Sequence, residues 1–377
     1  AYVATKELQT GNSDNIYVKI WQKMCEISTK TYNGIYKLLN ISPELTQQGE
    51  SFYGKYVQDV RDILNEGGNL TIGDDGSVTV KIPNMSSMVY LKSDEKGGSC
   101  TYATTDIVAL WYRLFVQCAD CVYYVVDTSQ APHFKQLFAM GKHVGWIKDT
   151  HRVEHVNFGL VTGEDGHRVK SREVHDKLTD IITQGIEATG KYFQSHRKVD
   201  GLTEYDKQIL EPVAIGSIKF YELSMCRTSS YQFKFDQMFS LSGRSFISII
   251  YILSRCKGVY EKMSAASINA DEIIFNPDEL TAYDHNLVRT LLYFPAVIND
   301  VYASQTPHYL CEYVADLADS FNSHYDHTRC IMYKDSKDML TQDIASYNGS
   351  RILIYGIVRK LAEQICKLLG LAIIDKI

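Results

Sequence analysis

No stretch of this sequence approaches the roughly 18 consecutive apolar residues of a membrane-spanning helix; the densest runs, such as Cys121 to Val126, have strand length. The opening Ala-Tyr-Val-Ala-Thr-Lys also lacks a basic-then-apolar leader. The sequons Asn69-Leu-Thr71 and Asn348-Gly-Ser350 therefore read as ordinary loop residues, and a cytoplasmic protein is expected. Neither sign of charge dominates: 39 Lys and Arg against 45 Asp and Glu leave a net charge of −6. That balance excludes a chain that coats nucleic acid indiscriminately, yet it leaves room for an RNA partner met by a local basic face. The cysteines form no framework, since 9 is an odd count and they are scattered, as reduced thiols are. Cys118-Ala-Asp-Cys121 has redox spacing, but it closes a helical pattern and opens a strand, the reverse of a redox motif. No second pair completes four zinc ligands, so the pair reads as structural and no metal site is expected. A Walker loop, a convincing G-x-G-x-x-G and a Ser-His-Asp order are missing as well. His151 and His155 flank Arg-Val-Glu before a strand-like run, which denies them a shared helical face.

What is present fits a soluble globular chain: 377 residues, enough for two or three domains, 45% of them apolar and 22% charged. Residues 1–100 mix signals of helix and sheet. Val18, Trp21, Met24, Cys25 and Ile27, continued by Ile35, Leu38 and Leu39, predict helix, as do Tyr56, Val60, Ile63 and Leu64, closed by Gly67-Gly68. Leu70-Thr-Ile, Asp74-Asp-Gly76 and Val78 to Ile82 predict a hairpin. Residues 101–234 turn α/β, with helices at Ile107 to Phe115 and His133 to His143 alternating with strands at Cys121 to Val126 and His155 to Val161. That alternation signals a parallel sheet covered on both faces. The polar stretch from Gly163 to Tyr205 is expected to hold a mobile loop and an exposed helix. Residues 235–377 read as wholly helical, with stripes Phe246, Ile249, Ile250, Leu253; Leu310, Tyr313, Val314, Leu317, Phe321; and Ile354, Ile357, Val358, Leu361, Ile365, Leu368.

Chemistry gathers at two places. Parallel sheets bind ligands at the carboxyl ends of their strands, and Val122 to Val126 runs into Asp127-Thr-Ser-Gln130. Tyr102 and Asp106, at i and i+4 on a helix, share a face, and with Gln130 they could grip a planar cation. A guanidinium fits, because a carboxylate accepts its fork bidentately while hydroxyl and amide groups meet its remaining donors. The ordinary alternative makes Asp106 a helix N-cap. The second place is Gly163-Glu-Asp-Gly-His-Arg-Val-Lys170-Ser171-Arg172, a glycine-bracketed basic loop that could cover a triphosphate, or simply be a solvated loop.

Taken in order, these segments resemble the arginyl-tRNA synthetases of class I, eukaryote-type. The resemblance spans Gly49-Glu-Ser-Phe-Tyr53, Thr101 to Asp106, Tyr124 to Gln130 with His133-Phe134, His155 to Val161, Ile218-Lys-Phe220 and Phe233 to Met238. In the last third it continues with Pro307-His-Tyr-Leu310, Tyr313, Leu317-Ala318 and Phe321 to Tyr325. It implies an α/β plus all-α architecture: an α+β insertion, the second half of a Rossmann-like nucleotide-binding domain and a helical anticodon-binding bundle. It implies further that Tyr102, Asp106 and Gln130 hold L-arginine and that His155, Val156, Phe158 and Gly159 meet ATP. Lys170 and Ser171 stand in place of the class I Lys-Met-Ser-Lys-Ser loop, with Mg2+ accompanying ATP and tRNA(Arg) as partner. For tRNA contacts the expected residues are Tyr251, Arg255, Phe321 and Tyr325, through stacking and phosphate pairing, although Phe321 also completes an apolar stripe. A monomer is expected.

The His-Ile-Gly-His signature and the first half of the nucleotide fold are absent, so a preceding segment is expected in the native protein. His143-Val-Gly-Trp146 and Lys262-Met-Ser264 only mimic the two signatures. The competing readings are a non-catalytic tRNA-binding relative and, more distantly, a thiol or metal protein using Cys118 and Cys121.

Overall fold

Buried apolar side chains divide the chain into two compact units, Ala1–Tyr36 with Ser42–Gly159, and Lys37–Ile41 with Leu160–Ile377. The computed structural model describes residues 2–376 except 10, 11, 13, 97, 163–177, 198–200, 233–237, 239–244 and 334–343. Among these residues no helix is long and apolar enough to cross a membrane.

The first unit opens with helices α1 (Tyr2–Gln9) and α2 (Ile16–Leu38), the latter running as one helix through the apolar positions that announce it. After a 3-10 turn at Glu50–Tyr56, α3 (Val57–Glu66) ends at Gly67, and Gly68 takes the left-handed φ of +67° that a side chain would resist. The expected hairpin forms from β1 (Leu70–Ile72) and β2 (Val78–Val80), with Leu70 opposite Val80 and Gly76 at φ +76° in the turn. A third antiparallel strand, β3 (Met88–Leu91), extends it. Its short run gives little sequence signal; Val78, Val80, Met88 and Tyr90 are what it buries.

Helix α4 (Tyr102–Trp111) begins earlier than its apolar pattern suggests because Thr101 caps it. The Thr101 hydroxyl accepts from Thr104 N at 3.2 Å, and the Thr104 hydroxyl accepts from Thr101 N at 2.8 Å. Asp106 therefore sits inside the helix rather than capping it, one turn beyond Tyr102. The helix continues into a π turn at Tyr112–Val116. Cys118, at φ +51°, and Cys121 bracket the chain's entry into β4 (Cys121–Tyr124), and both are exposed free thiols.

Helix α5 (Ala131–His143) crosses from β4 to β5 (Arg152–His155), which pairs parallel to it with Cys121 beside Arg152 and Tyr124 beside His155. The strand expected at His155 to Val161 thus begins three residues earlier, and past His155 only an isolated bridge, Asp127 to Phe158, prolongs the pairing. Val60, Leu64, Val80, Ile107, Leu110, Leu137 and Met140, all at 1% exposure or less, form this unit's core.

In the second unit, β6 (Val161–Thr162) pairs parallel with β7 (Tyr231–Gln232), and between them run α6 (Leu178–Arg197) and α7 (Glu204–Ser224). The helix expected to be exposed is half-buried: α6 hides Ile182, Thr189 and Phe193. Then follow α8 (Phe246–Ala265), α9 (Ala282–Ser304), α10 (His308–His327) and α11 (Gly349–Leu368). A two-stranded hairpin of β8 (Ile331–Tyr333) and β9 (Ile344–Tyr347) interrupts what reads as wholly helical. The α10 stripe is buried throughout, whereas Ile357 and Leu368 of the α11 stripe are 56% and 51% exposed. Gly216 lets α7 meet α8, since a Cβ there would lie 2.3 Å from Phe246 Cε1.

One polar cluster is sealed inside this bundle. Asp284, in the first turn of α9, and His324, near the end of α10, are both fully buried. Asp284 Oδ1 accepts from His324 Nε2 at 2.7 Å and from Arg351 Nε at 3.0 Å; Oδ2 accepts from Arg351 Nη2 at 3.1 Å and from Thr281 N at 2.7 Å. With the proton on His324 Nε2, its Nδ1 accepts from Tyr355 Oη at 3.1 Å. Burial opposes ionisation of Asp284, but the hydrogen bonds from Arg351, Thr281 and His324 outweigh it and hold the carboxyl well below the usual carboxylate range. Burial, with the nearby Arg351 charge, lowers His324 in turn against the upward pull of Asp284.

For both buried groups the unfolded chain binds protons more readily than the folded one, so stability falls with acidification. Loss begins below about pH 6.5 as unfolded His324 protonates, and continues below about pH 4 as Asp284 does. Asp284→Ala, by taking the carboxylate away from the Arg351 guanidinium and His324 Nε2, is expected to cost about 3–5 kcal/mol and to flatten the acid limb, read by urea denaturation across pH. Thr101→Ala removes one half of a capping box and is expected to cost about 1 kcal/mol in the same assay.

Candidate active site

At the carboxyl ends of β4 and β5 the backbone is stitched into a rim. Asp127 Oδ1 accepts from Ser129 N at 2.9 Å and from the Ser129 hydroxyl, which folds Thr128–Gln130 into a 3-10 turn. Thr128 donates to the Phe158 carbonyl from its N–H at 3.0 Å and its hydroxyl at 3.1 Å, and Asn157 Nδ2 donates to Thr128 Oγ1 at 3.0 Å. Gln130 is the N-cap residue of α5, Pro132 presets its first turn, and His133 follows.

Two of the three residues expected around a guanidinium, Tyr102 and Asp106, meet at an imidazole that the spacing argument leaves out, and the third, Gln130, opens the helix that carries it. Asp106 Oδ2 lies 2.7 Å from His133 Nε2. The Tyr102 ring lies 4.8 Å from the His133 ring, centroid to centroid, and Gln130 stands three residues before His133 at the head of the same helix. His133 is buried, while Tyr102 is 65% exposed and the Asp106 side chain 31%. Among the described residues Asp106 Oδ1 accepts no hydrogen bond. An open carboxylate oxygen with an exposed aromatic ring one helical turn away suits a planar cation that carries several donors. The signal for His133 was available as the i+3 neighbour of Gln130, but a lone histidine carries little weight until its carboxylate partner from another helix is placed.

The segment expected to meet a nucleotide lies on the same edge. His155 closes β5, and its Nε2 lies 3.2 Å from the Val126 carbonyl. Val156 is buried, and its N–H is engaged by the Tyr124 carbonyl at 3.0 Å, so it lies in the floor of this edge. Phe158, 41% exposed, and the neighbouring Gly159 remain available to a ligand. Lys170 and Ser171 lie outside the described residues, as does most of Phe233 to Met238. Nearby, the Arg113 guanidinium packs over Tyr124 at 5.2 Å and Tyr53 at 5.7 Å. Burial pushes the Tyr124 phenol up to about 12 against the opposing pull of Arg113, so it stays protonated at neutral pH.

In the helical region, Tyr251 and Arg255 lie one turn apart on α8. Arg255 Nη1 donates to Asn322 Oδ1 at 2.6 Å, and its guanidinium carbon stands 4.4 Å from the centre of the Tyr325 ring, which is 40% exposed. Phe321 corrects the expectation: at 0% exposure its ring belongs to the core and offers no face to a base. Asn322, which seats Arg255, was missed because an asparagine on a helix surface has no distinguishing pattern. The two signature mimics also resolve. Gly145, at φ +75°, and buried Trp146 close the turn after α5, and Met263 is core within α8.

Comparison with known proteins places the chain in a family. The family described as tRNA synthetases class I (R), catalytic domain, matches residues 1–235, and the DALR anticodon binding domain matches residues 249–377. An arginine–tRNA ligase from Acanthamoeba polyphaga mimivirus is 32% identical over 378 residues, 99% of this chain and 60% of the relative. One from Synechocystis is 31% identical over 387 residues, 99% of this chain and 62% of the relative. The chain thus spans about three fifths of the length of these curated relatives. Among solved structures, arginyl-tRNA synthetase from Plasmodium falciparum superposes with a TM-score of 0.78 at 28% identity, over 99% of this chain and 61% of that one. The Thermus thermophilus arginyl-tRNA synthetase, at 16% identity and a TM-score of 0.72 over 98% of this chain and 65% of that one, shares the fold. With the catalytic-domain match covering more than half of its residues, the chain belongs to the class I (R) tRNA synthetases and carries a DALR anticodon-binding domain after the catalytic one.

Proposed function

We propose that this chain works in an arginine–tRNA ligase, which joins L-arginine to ATP as arginyl-adenylate with release of pyrophosphate and then passes the arginyl group to the terminal ribose of tRNA(Arg). The observation that supports the reading is the meeting of Tyr102 and Asp106 at His133, on the helix that Gln130 opens, with an Asp106 oxygen open to a guanidinium. Asp106 takes the planar fork, Tyr102 covers it, and Gln130 meets a remaining donor. The edge formed by His155, Phe158 and Gly159, floored by Val156, takes ATP, which enters as its magnesium complex. Lys170 and Ser171 act on its phosphates as compact donors to the charge that develops there.

Both steps rest on positioning and electrostatic stabilisation. Residues 1–100 serve as the insertion, 101–234 as the second half of the nucleotide-binding domain, and 235–377 as the tRNA-reading bundle. In that bundle Tyr251, Arg255 and Tyr325 meet the anticodon loop, with a stacked cation and ring suited to unpaired bases and their phosphates. The enzyme acts in the cytoplasm as a monomer.

Aminoacylation of total tRNA by the full-length protein, with ATP, magnesium and each amino acid in turn, is expected to charge with arginine alone. Asp106→Ala is expected to lower kcat/KM for arginine by about 100-fold or more, since it removes charge-assisted hydrogen bonds of about 1.5–3 kcal/mol each. Unchanged arginine kinetics would remove the pocket assignment. Tyr325→Ala and Arg255→Ala are expected to weaken tRNA binding. Loss of Arg255 should also reduce the slope of log affinity against log salt by about 1, as the loss of one phosphate contact does.

A further inference from the structure

We infer that His133 is the positioning residue of the guanidinium pocket: by donating from Nε2 to Asp106 Oδ2, it holds the carboxylate in the orientation that receives the fork of the substrate's side chain. The inference rests on reading Tyr102, Asp106 and Gln130 as the arginine site.

Three observations carry it. First, His133 reaches two of the three pocket residues directly, Asp106 through the 2.7 Å contact and Tyr102 through the ring contact at 4.8 Å, and shares the opening of α5 with the third. Second, Asp106 needs a holder. It projects from the second turn of α4 with its side chain 31% exposed, and a partly exposed carboxylate samples several rotamers unless something fixes it. Fixing it before the ligand arrives removes that ordering cost from binding. The imidazole is itself fixed, 9% exposed between the Tyr102 ring and the Phe134 ring, the latter at 5.1 Å.

Third, the same chain contains a completed version of this arrangement. In the bundle, Asp284 accepts from a histidine Nε2 at the same 2.7 Å and also takes a guanidinium bidentately, from Arg351 Nε and Nη2 at 3.0 and 3.1 Å. One oxygen there accepts from both the histidine and the arginine, so an imidazole donor on a carboxylate does not displace a guanidinium fork. At Asp106 the histidine is present in the same relation, and the substrate supplies the guanidinium.

His133→Gln and His133→Met test this on the full-length protein, because the two replacements are close in length and differ chiefly in whether an N–H donor can reach Asp106. His133→Met is expected to raise the KM for arginine about 10- to 100-fold, the loss of one hydrogen bond to a charged group, while the KM values for ATP and tRNA stay within about twofold. His133→Gln is expected to keep the arginine KM within about threefold of the parent. Melting temperatures of both variants confirm that the comparison is between folded proteins. The inference is overturned if both variants raise the arginine KM alike, if neither does, or if the methionine variant raises all three KM values together, as a purely structural role would. If the parent enzyme charges tRNA with another amino acid, the arginine reading falls and His133 falls with it. If the parent charges with arginine and the two variants do not separate, His133 alone is refuted.

Discussion

Everything chemical in the first unit depends on the parallel pairing of β4 with β5. Antiparallel neighbours put their carboxyl ends at opposite edges, whereas a parallel pair puts both at one edge and requires a crossover to get there. The crossover is α5, so the same constraint that aligns Tyr124 with His155 also delivers the first turn of α5 to the rim. Gln130 and His133 arrive there as a consequence. Asp106 and Tyr102 come from the preceding helix, whose start is pinned by the Thr101 and Thr104 hydroxyls rather than by its apolar pattern. The site is therefore assembled from one strand pair and two helix openings, and each part is held by hydrogen bonds that do not depend on a ligand.

How much of this was legible in the sequence varies with the physical signal. Long amphipathic helices announce themselves, because burial imposes a period of 3.6 on many residues, and α10 and most of α11 lie where their stripes put them. The Asp-Gly hairpin was equally clear, since its turn demands a residue that accepts positive φ. Short strands carry too few residues for a period, which is why β3, β8 and β9 pass unnoticed and why β5 is displaced by three residues. Helix α6 misleads for a related reason: its polar surface dominates the composition, while Ile182, Thr189 and Phe193 suffice to bury one side.

For the site, the spacing of Tyr102 and Asp106 was enough to put them on one face, but not to reveal what holds them. A hydrogen bond between helices α4 and α5 joins residues 27 apart in sequence, and no local rule reaches that far. Phe321 shows the opposite error. Its place in an apolar stripe already favoured the core, and full burial confirms the stripe over the aromatic-contact reading. A residue that satisfies two patterns follows the one with more neighbours behind it.

The two histidine–aspartate pairs make the general point about how burial assigns roles to identical chemistry. Both have Nε2 at 2.7 Å from an oxygen of a carboxylate carried by a different helix. At Asp284 the chain's own Arg351 and Thr281 saturate the carboxylate, water is excluded, and the group becomes a structural charge whose loss the fold feels. At Asp106 the side chain keeps nearly a third of its exposure and an oxygen free of described hydrogen bonds. A carboxylate already saturated by internal donors could bind nothing further, and one held by no donor would have to be ordered by its ligand at a cost in affinity. A single imidazole donor lies between these limits: it fixes the carboxylate's direction and leaves acceptor capacity for an incoming guanidinium. On the arginine-site reading proposed above, the Asp106 arrangement is that intermediate case, a binding pair built of the same two side chains as a structural one.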